Sequence, residues 1–272
     1  MTTTTISAPS AGTTRPRTAV SRPRRPATGL PPARRVLAVV ARPGDETWYL
    51  GAVLETFRSH GAHIGVLCFT RGEKSPYNDS LCRLETIRPR EFDAATAVLH
   101  AEYRTLIDYP DDGLNGYPID ELTEHVTRAI TEWDADLLLT VDGRGTERTA
   151  ARAAVHAGRE RGIPVLAWTL PHDLARAARH AGGPAMSGDL YSRIDFEVRV
   201  DRRIQRQAAR AHRSQNGGDR PQQARLALQG DYEWLRRLVP PAPATGTDVA
   251  SPAAAAAATP AGGARAPEEG RP

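Results

Sequence analysis

Acidic and arginine side chains are concentrated in four short segments that each follow an apolar run. The segments read ARPGDE from residue 41, TRGEKSP from residue 70, YPDDGL from residue 109 and TVDGRGTERT from residue 140. Carboxylate and guanidinium groups each form paired hydrogen bonds, so they suit recognition of a polyol. Carboxylates also bind metal ions, although a catalytic zinc normally needs three protein ligands.

The elements that must position these segments alternate between strand-like and helix-like patterns. Strands are predicted in RRVLAVVA, HIGVLCFT, YRTLIDY, ADLLLTV and PVLAWTL. Helices are predicted from about Thr47 to Gly61, about Cys82 to Leu99, Ile119 to Trp133, and about Thr149 to Arg161. We therefore expect an α/β fold with a Rossmann-like, open, mostly parallel sheet and helices on both faces. The four segments should then share one rim at the carboxyl ends of the strands.

The pattern changes after Pro171. RIDFEVRV alternates as a half-buried strand does, and two polar helices are predicted, Arg202 to Arg213 and Pro221 to Leu238. Pro89 should distort the second helix or mark its start. The first segment lacks Gly-x-Gly-x-x-Gly, which argues against a nucleotide-binding Rossmann enzyme.

Composition divides the chain into three parts. Residues 1–34 form an Arg, Pro and Thr-rich leader predicted to be disordered, 35–238 the α/β domain, and 239–272 a disordered Pro, Ala and Gly-rich tail. The chain carries +4, but residues 1–35 hold seven arginines and no acid, and residues 241–272 carry −1, so the remainder carries −2. Nucleic-acid binding by the folded domain is therefore not expected.

Apolar runs in the chain are all too short to span a bilayer or to form a signal-peptide core, which predicts a cytoplasmic protein without a membrane partner. Cys68 lies in an apolar run and is predicted to be a core residue, and neither it nor Cys82 suggests a disulfide. The alternative for the leader is that it binds an acidic surface.

Taken together and in order, the segments resemble the PIG-L, or LmbE-like, de-N-acetylase family over residues 35 to 238. VLAVVARPGDE is similar to that family's Ala-His-Pro-Asp-Asp-Glu motif, and SHGAHIGVLCFTRGE to its second strand with Thr-x-Gly-Glu. RPREFDAATAVL is similar to its Arg-x-x-Glu helix, DYPDDGL to its third-strand loop, and AHRSQ at 211–215 to its late His-x-Ser-Gln. The resemblance implies the same fold and an ancestry among zinc-dependent amide hydrolases.

The resemblance also implies roles for particular positions. Two of the three zinc ligands fall on Arg42 and Thr149, which replace histidines, and only Asp45 is kept. The general base falls on Gly44 and the general acid on Thr146. No metal is therefore expected, because one carboxylate does not hold zinc and arginine has no lone pair for a metal.

Four other residues are predicted to bind a substrate or ligand: Glu73, Arg88, Asp111 and Asp112. By the resemblance, Arg88 and Asp111 match positions that contact sugar hydroxyls. Alternatively, Asp112 makes a turn before Gly113, and Glu73 caps a helix.

Arg42 has two possible environments. It pairs with Asp45 and replaces the charge of the missing cation, or it points to solvent while Asp45 caps a helix that begins near Thr47. None of the eight histidines lies on a rim segment, with His172 the nearest case, so no replacement ligand set is expected.

Three functions follow from these residues. The first is a deacetylase-fold protein that has lost zinc and hydrolysis and binds a small sugar-like molecule or a protein partner. The second is an active N-acetyl amino-sugar deacetylase with an atypical site, which would need zinc. The third is an interaction protein whose arginine leader binds an acidic protein or nucleic acid. The first is the interpretation that we favour, so whether the chain is an enzyme stays open.

Overall fold

The computed structural model describes residues 25–75, 83–183, 186–215 and 221–242. Most of the predicted leader, Cys82, and the predicted tail beyond Ala242 lie outside the described residues. Residues 25–34 of the leader are described, and Ala27–Thr28 form a short strand, β1, because the Ala27 N–H donates to the Asp195 carbonyl. The structured part thus begins earlier than residue 35.

An eight-stranded sheet forms the centre of the fold. After β1 the strands are β2 Arg35–Val40, β3 His63–Thr70, β4 Ala101–Tyr109, β5 Leu137–Val141, β6 Val165–Thr169, β7 Phe196–Arg199 and β8 Tyr232–Val239. Their order is β1-β7-β8-β6-β5-β2-β3-β4, and only β8 runs antiparallel to its neighbours. The expected α/β fold with a mostly parallel sheet is confirmed.

Helices connect the strands and pack on the sheet. They are α1 Asp45–Trp48, α2 Gly51–Ser59, α3 Leu84–Val98, α4 Ile119–Trp133, α5 Thr146–Arg161, α6 His172–His180, α7 Arg203–Ala209 and α8 Pro221–Gln229. Two buried apolar clusters contain strand side chains that alternate between them, as the opposite faces of a pleated sheet require. Within the described residues, no helix is both long and apolar enough to cross a membrane.

Three helix predictions need correction. The first helix is divided into α1 and α2. The second is found as predicted, with Pro89 in its interior and not at its start. The fourth starts at Thr146, three residues before the predicted position. The helix predicted from Arg202 to Arg213 ends at Ala209.

The largest error is the predicted helix from Pro221 to Leu238. Its second half is β8, and Gly230, with φ 56°, separates the strand from α8. In residues 232–239 the larger apolar side chains include those at 234, 235, 238 and 239, a spacing that fits a helix stripe as well as a strand. Backbone pairing of β8 with β6 on one side and with β7 on the other decides in favour of the strand.

The site is positioned by the central strands. β2 pairs with β3 on one side and with β5 on the other, so the chain leaves β2 in one direction and later returns on the opposite side. Such a reversal in strand order opens a crevice beyond the carboxyl ends, where ligands of open α/β sheets bind. The loops after β2 and β5 face each other across it.

Candidate functional site

The four polar segments lie at one edge of the sheet. They follow β2, β3, β4 and β5, which are adjacent and parallel. We call the loops at residues 41–46, 70–75, 109–114 and 140–149 the rim. Hydrogen bonds and ion pairs between these loops, described below, bring Arg42, Asp111 and Glu147 together.

The loop after β2 is a tight turn into α1. The Asp45 N–H donates to the Arg42 carbonyl at 3.1 Å, and Asp45 Oδ2 accepts the Arg42 N–H at 3.0 Å. Gly44 has φ 102°, a left-handed conformation that favours glycine. The position that the resemblance assigns to the general base therefore has no side chain, and its backbone conformation disfavours any residue other than glycine.

The Arg42 guanidinium lies between the loops after β4 and β5. Its Nη2 donates to Thr146 Oγ1 at 3.0 Å and to the Glu147 carboxylate, and its Nε lies 3.3 Å from Asp111 Oδ1. Burial opposes the charge, but Asp45, Glu147 and Asp111 outweigh it and hold the pKa of Arg42 above its ordinary value. The arginine is a fixed internal cation that joins three loops.

Neither predicted environment of Arg42 is correct. Its side chain does not form the expected ion pair with Asp45, which instead accepts the Arg42 backbone N–H. It does not point freely to solvent, because only 29% of it is exposed and two other carboxylates hold it. Asp45 is the first residue of α1 and makes no side-chain cap. The sequence did not predict the long-range partners Asp111 and Glu147, since pairing across a crevice depends on strand order.

Asp45 is buried beside like charge. Burial raises the pKa of its carboxyl to about 7, the neighbouring Glu147 acts in the same direction, and the Arg42 charge acts against both. Asp45 is the one position that keeps the residue type of the resembled metal site. Here its carboxylate is used to hold a turn.

Arg88 lies in α3 and is buried, with 4% of its surface exposed. Its Nη1 donates to the Gly72 carbonyl and its Nη2 to the Pro43 carbonyl, so it fastens the loop after β3 to the loop after β2. Burial lowers the pKa of the guanidinium. Both terminal nitrogens are thus used within the chain, while Nε has no hydrogen bond within the described residues.

The three predicted acidic ligand residues have different environments. Asp111 is buried and accepts the Lys74 N–H at 3.2 Å, and burial raises the pKa of its carboxyl against the opposing charges of Arg42 and Arg88. Glu73 does not cap a helix; it accepts the Asp111 N–H at 3.0 Å. Asp112 has 69% of its side chain exposed and lies in the turn before Gly113. Of the three, Asp112 is the most open to a ligand.

Threonines occupy the start of α5. Thr146 accepts from Arg42, and Thr149 donates to Asn115 Oδ1 in the turn after β4. Both are mostly buried. The positions that the resemblance assigns to a general acid and to a zinc ligand therefore hold neutral hydroxyls with partners inside the protein.

A second group of polar residues lies behind the rim, and we call it the support cluster: Glu46, Thr47, Glu91, His212 and Ser214. Glu46 is fully buried and accepts from the Gly44 N–H at 2.7 Å and from Thr47 Oγ1 at 2.8 Å, with His212 Nε2 at 2.9 Å. Glu91 accepts the Ser214 N–H and Oγ–H, each at 2.6 Å. The support cluster therefore joins the rim loop after β2 to the segment that follows α7.

The sequence did not predict a role for His212. His212 lies on none of the four rim segments, and yet its side chain is fully buried and contacts Glu46 in α1. The AHRSQ match was the signal that could have located it. Cys68 is buried as expected, and burial raises the pKa of its thiol.

The residues do not fit a zinc ion. Within residues 25–75, 83–183, 186–215 and 221–242, no group of three or more His, Cys, Asp and Glu side chains has the arrangement to hold a metal. Arg42 places a permanent positive charge where a cation would bind, and Thr149 is bonded to Asn115. His172 is exposed and interacts only weakly, with Asp173 at 3.6 Å.

Comparison with known proteins gives consistent matches. Residues 37–157 match the PIG-L family, described as GlcNAc-PI de-N-acetylase. The chain is 30% identical over 168 residues to a 1D-myo-inositol 2-acetamido-2-deoxy-alpha-D-glucopyranoside deacetylase 1 of Catenulispora acidiphila, covering 47% of this chain and 52% of that protein. It is 29% identical over 189 residues to the deacetylase of the same substrate name from Streptomyces griseus, covering 56% and 59%.

A solved structure extends the comparison to the fold. The N,N'-diacetylchitobiose deacetylase of Pyrococcus horikoshii aligns with TM-score 0.58 and 16% identity, covering 76% of this chain and 84% of that chain. The chain spans little more than half the length of the two curated relatives it matches. The sheet order and the shared rim agree with the family match, and residues 37–157 are similar to the PIG-L, or LmbE-like, family.

Proposed function

We propose that this protein has lost zinc binding and amide hydrolysis and keeps the rim as a binding site for a small sugar-like ligand or, failing that, a protein partner. One observation carries the proposal. The Arg42 guanidinium lies among Asp111, Thr146 and Glu147, where a zinc hydrolase of this fold would need an open, cation-binding centre.

The groups that hydrolysis requires are missing from the rim. Amide hydrolysis by a metal centre uses a metal-bound water together with a base and an acid that transfer protons. Gly44 has no side chain, and Thr146 is a neutral hydroxyl already bonded to Arg42. Arginine does not give up its proton under physiological conditions, so Arg42 is not a substitute base. The chain's own residues thus supply no route for the proton.

A binding role is supported by what remains. Asp112 is exposed at the rim, Asn115 lies exposed beside Thr149, and the partly exposed face of Arg42 offers a hydrogen-bond donor. Carboxylate, amide and guanidinium groups together match the hydroxyls of a sugar. The curated relatives are named as deacetylases of an acetamido sugar joined to inositol, which favours a ligand of that class.

The loss of zinc is tested by elemental analysis after purification from zinc-supplemented medium. The expected result is no stoichiometric zinc in the parent chain and no acetate release from N-acetylglucosaminyl substrates. The matched variant is Arg42→His with Thr149→His, which restores two nitrogen ligands beside Asp45 and should bind zinc. One equivalent of zinc in the parent chain would overturn the proposal.

The binding role has a separate test. Titration with N-acetylglucosamine, glucosamine and myo-inositol, followed by NMR chemical shifts of rim amides, should give saturable shifts for at least one of them. Asp112→Asn should weaken that binding, because it replaces one of the two acceptor oxygens by an NH2 group, which donates hydrogen bonds and does not accept them. The matched control is Asp120→Asn, on the exposed start of α4. If none of the three sugars binds, the sugar-like ligand is rejected.

A further inference from the structure

We propose that the centre of the rim is a guanidinium-binding site whose ligand is the side chain of Arg42. When that side chain is removed, the site should bind a free alkylguanidinium ion and not a metal ion. This inference deepens the proposed function and rests on it, since it states which cation replaces the zinc and how the site selects it.

The partners of the Arg42 guanidinium come from two loops: Asp111 follows β4, and Thr146 and Glu147 follow β5. Asp45 follows β2 together with Arg42 and accepts the Arg42 backbone N–H. Asp111 Oδ1 has no hydrogen bond within the described residues and lies 3.3 Å from Arg42 Nε. A buried carboxylate oxygen without a hydrogen bond needs a nearby positive charge to offset its loss of hydration, and the Arg42 guanidinium supplies that charge.

The acceptors lie around the edge of the guanidinium and do not converge on one point. Nη2 of Arg42 donates to both Thr146 Oγ1 and Glu147, while Nε lies 3.3 Å from Asp111 Oδ1 in an ion pair without a hydrogen bond. A guanidinium directs five N–H groups outward in one plane, so acceptors around it lie several ångströms apart. A metal ion needs its oxygen ligands to converge within about 2.0–2.6 Å. No described group of three His, Cys, Asp and Glu side chains does so.

Charge makes the occupant necessary. Asp45 and Asp111 are buried, Glu147 is half-buried, and all three stabilise the positive charge of Arg42. Without the guanidinium, the three carboxyl groups would face one another in a place from which water is largely excluded. The site would then take up protons or recruit a cation of matching shape, and it would hold the loops after β4 and β5 less firmly.

The experiment uses Arg42→Ala in the full chain, which leaves room for the missing side chain. The variant should lose about 4–12 °C in Tm relative to the parent, as expected when one partner of a partly buried ion cluster is removed. Ethylguanidinium at about 10 mM, far below denaturing concentrations, should recover at least half of that loss and leave the parent unchanged. Isothermal titration should show one site in the variant and none in the parent.

Three kinds of comparison ligand test the selectivity of the site. Urea has a similar planar shape without the charge, methylammonium has the charge without the fork, and magnesium, calcium and zinc are metal ions. All of these should fail to recover the Tm of Arg42→Ala. Recovery by urea would show that shape alone is responsible, and recovery by any metal ion would show that the pocket converges on small cations. Either result would overturn the proposal.

Two further variants keep the test decisive. Arg42→Lys retains the charge but not the fork, so its Tm should fall below that of the parent; equality would contradict a guanidinium-selective site. Adding Glu147→Gln to Arg42→Ala should abolish rescue by ethylguanidinium. If Arg42→Ala is recovered only unfolded, the yield of folded protein after refolding with ethylguanidinium or urea gives the same comparison. If ethylguanidinium does not recover Arg42→Ala and the parent holds no zinc, this inference alone is rejected. Zinc in the parent rejects the proposed function.

Discussion

We call the following residues the rim centre: Arg42, Gly44, Asp45, Asp111, Thr146, Glu147 and Thr149. It meets the support cluster where the Gly44 N–H donates to Glu46, but the two regions differ in how they match the family pattern. In the support cluster, Glu46, Glu91 and His212 fall on the family motifs and are buried with partners at 2.6–2.9 Å. At the rim centre, Arg42, Gly44 and Thr149 depart from the motifs. A fold of this kind can therefore keep the polar framework behind its site while the groups in front of it are replaced.

Substitutions in the two regions have different physical consequences. A buried carboxylate such as Glu46 costs several kcal/mol if its hydrogen-bond partners are removed, so changes there act on folding. Groups at the rim act mainly on ligand chemistry, provided that their charges stay balanced. Arg42 meets that condition, since it brings its own positive charge to the three carboxylates that remain. Under the proposed function, hydrolysis is lost at the rim while the fold is kept.

The largest predicted effect lies in the support cluster. Glu46→Ala removes the buried carboxylate that accepts from the Gly44 N–H and contacts Thr47 Oγ1 and His212 Nε2, which keep their contact with each other at 3.2 Å. We expect the free energy of unfolding to fall by about 3–5 kcal/mol, measured by denaturant unfolding monitored by circular dichroism.

The matched control for Glu46→Ala is Glu55→Ala, which removes a glutamate from α2. Glu55 is 15% exposed and pairs with Arg58, 39% exposed, one turn along the same helix, so its loss should change the free energy of unfolding by about 1 kcal/mol. Equal losses in the two variants would show that the support cluster has no special role. Glu46→Gln should lie between them, because it keeps the size and one acceptor.

How far the sequence predicts each region depends on how local its interactions are. The strand and helix periods from Arg35 to Thr169 are local patterns, and the predicted alternation matches the fold closely. The rim was predicted because the carboxyl ends of parallel strands share an edge, a rule that needs no distances. The partners of Arg42 were not predicted, since Asp111 and Glu147 are far along the chain and several acids could have served.

Residues 232–239 show a second limit of the sequence. β8 carries buried Glu233, which binds Arg202 at 2.5 Å and Trp168 Nε1 at 2.6 Å. A charged residue facing inward breaks the apolar alternation that identifies a strand. Only the arginine and tryptophan that meet it from other elements explain why the strand is tolerated there.

The next largest effect concerns pH at the rim centre. Burial raises the pKa of Asp45 from 3.8 in the unfolded chain to about 7 in the folded protein. The folded state thus binds a proton more tightly, so the stability contributed by Asp45 is fully present below pH 4 and is lost as pH rises through about 7. Asp45→Asn removes this dependence. The free energy of unfolding of the variant, relative to the parent, should rise between pH 4 and pH 7 by at most about 4 kcal/mol.

The control for the pH profile is Asp112→Asn, at the exposed side of the same rim. Its difference from the parent should stay within about 0.5 kcal/mol across the same pH range, because Asp112 is 69% exposed and its ion pair with Lys74, at 3.8 Å, is an exposed and weak one. If Asp45→Asn follows the parent at every pH, the carboxyl of Asp45 titrates normally. Burial of the Asp45 carboxyl would then make no pH-dependent contribution to stability.

The smallest effect distinguishes the two neighbours of Asp45. Glu147 raises the pKa of Asp45 and Arg42 lowers it, so the carboxyl reports the balance of charge at the rim centre. Glu147→Gln should lower the pKa of Asp45, measured by carbon NMR of the side-chain carboxyl, while Asp112→Asn leaves it in place. An unchanged pKa in Glu147→Gln would mean that Glu147 and Asp45 do not share one cation. The two carboxyl groups would then titrate independently, whereas a downward shift identifies a single electrostatic cluster of Asp45, Glu147 and Arg42, distinct from the hydrogen-bonded framework behind it.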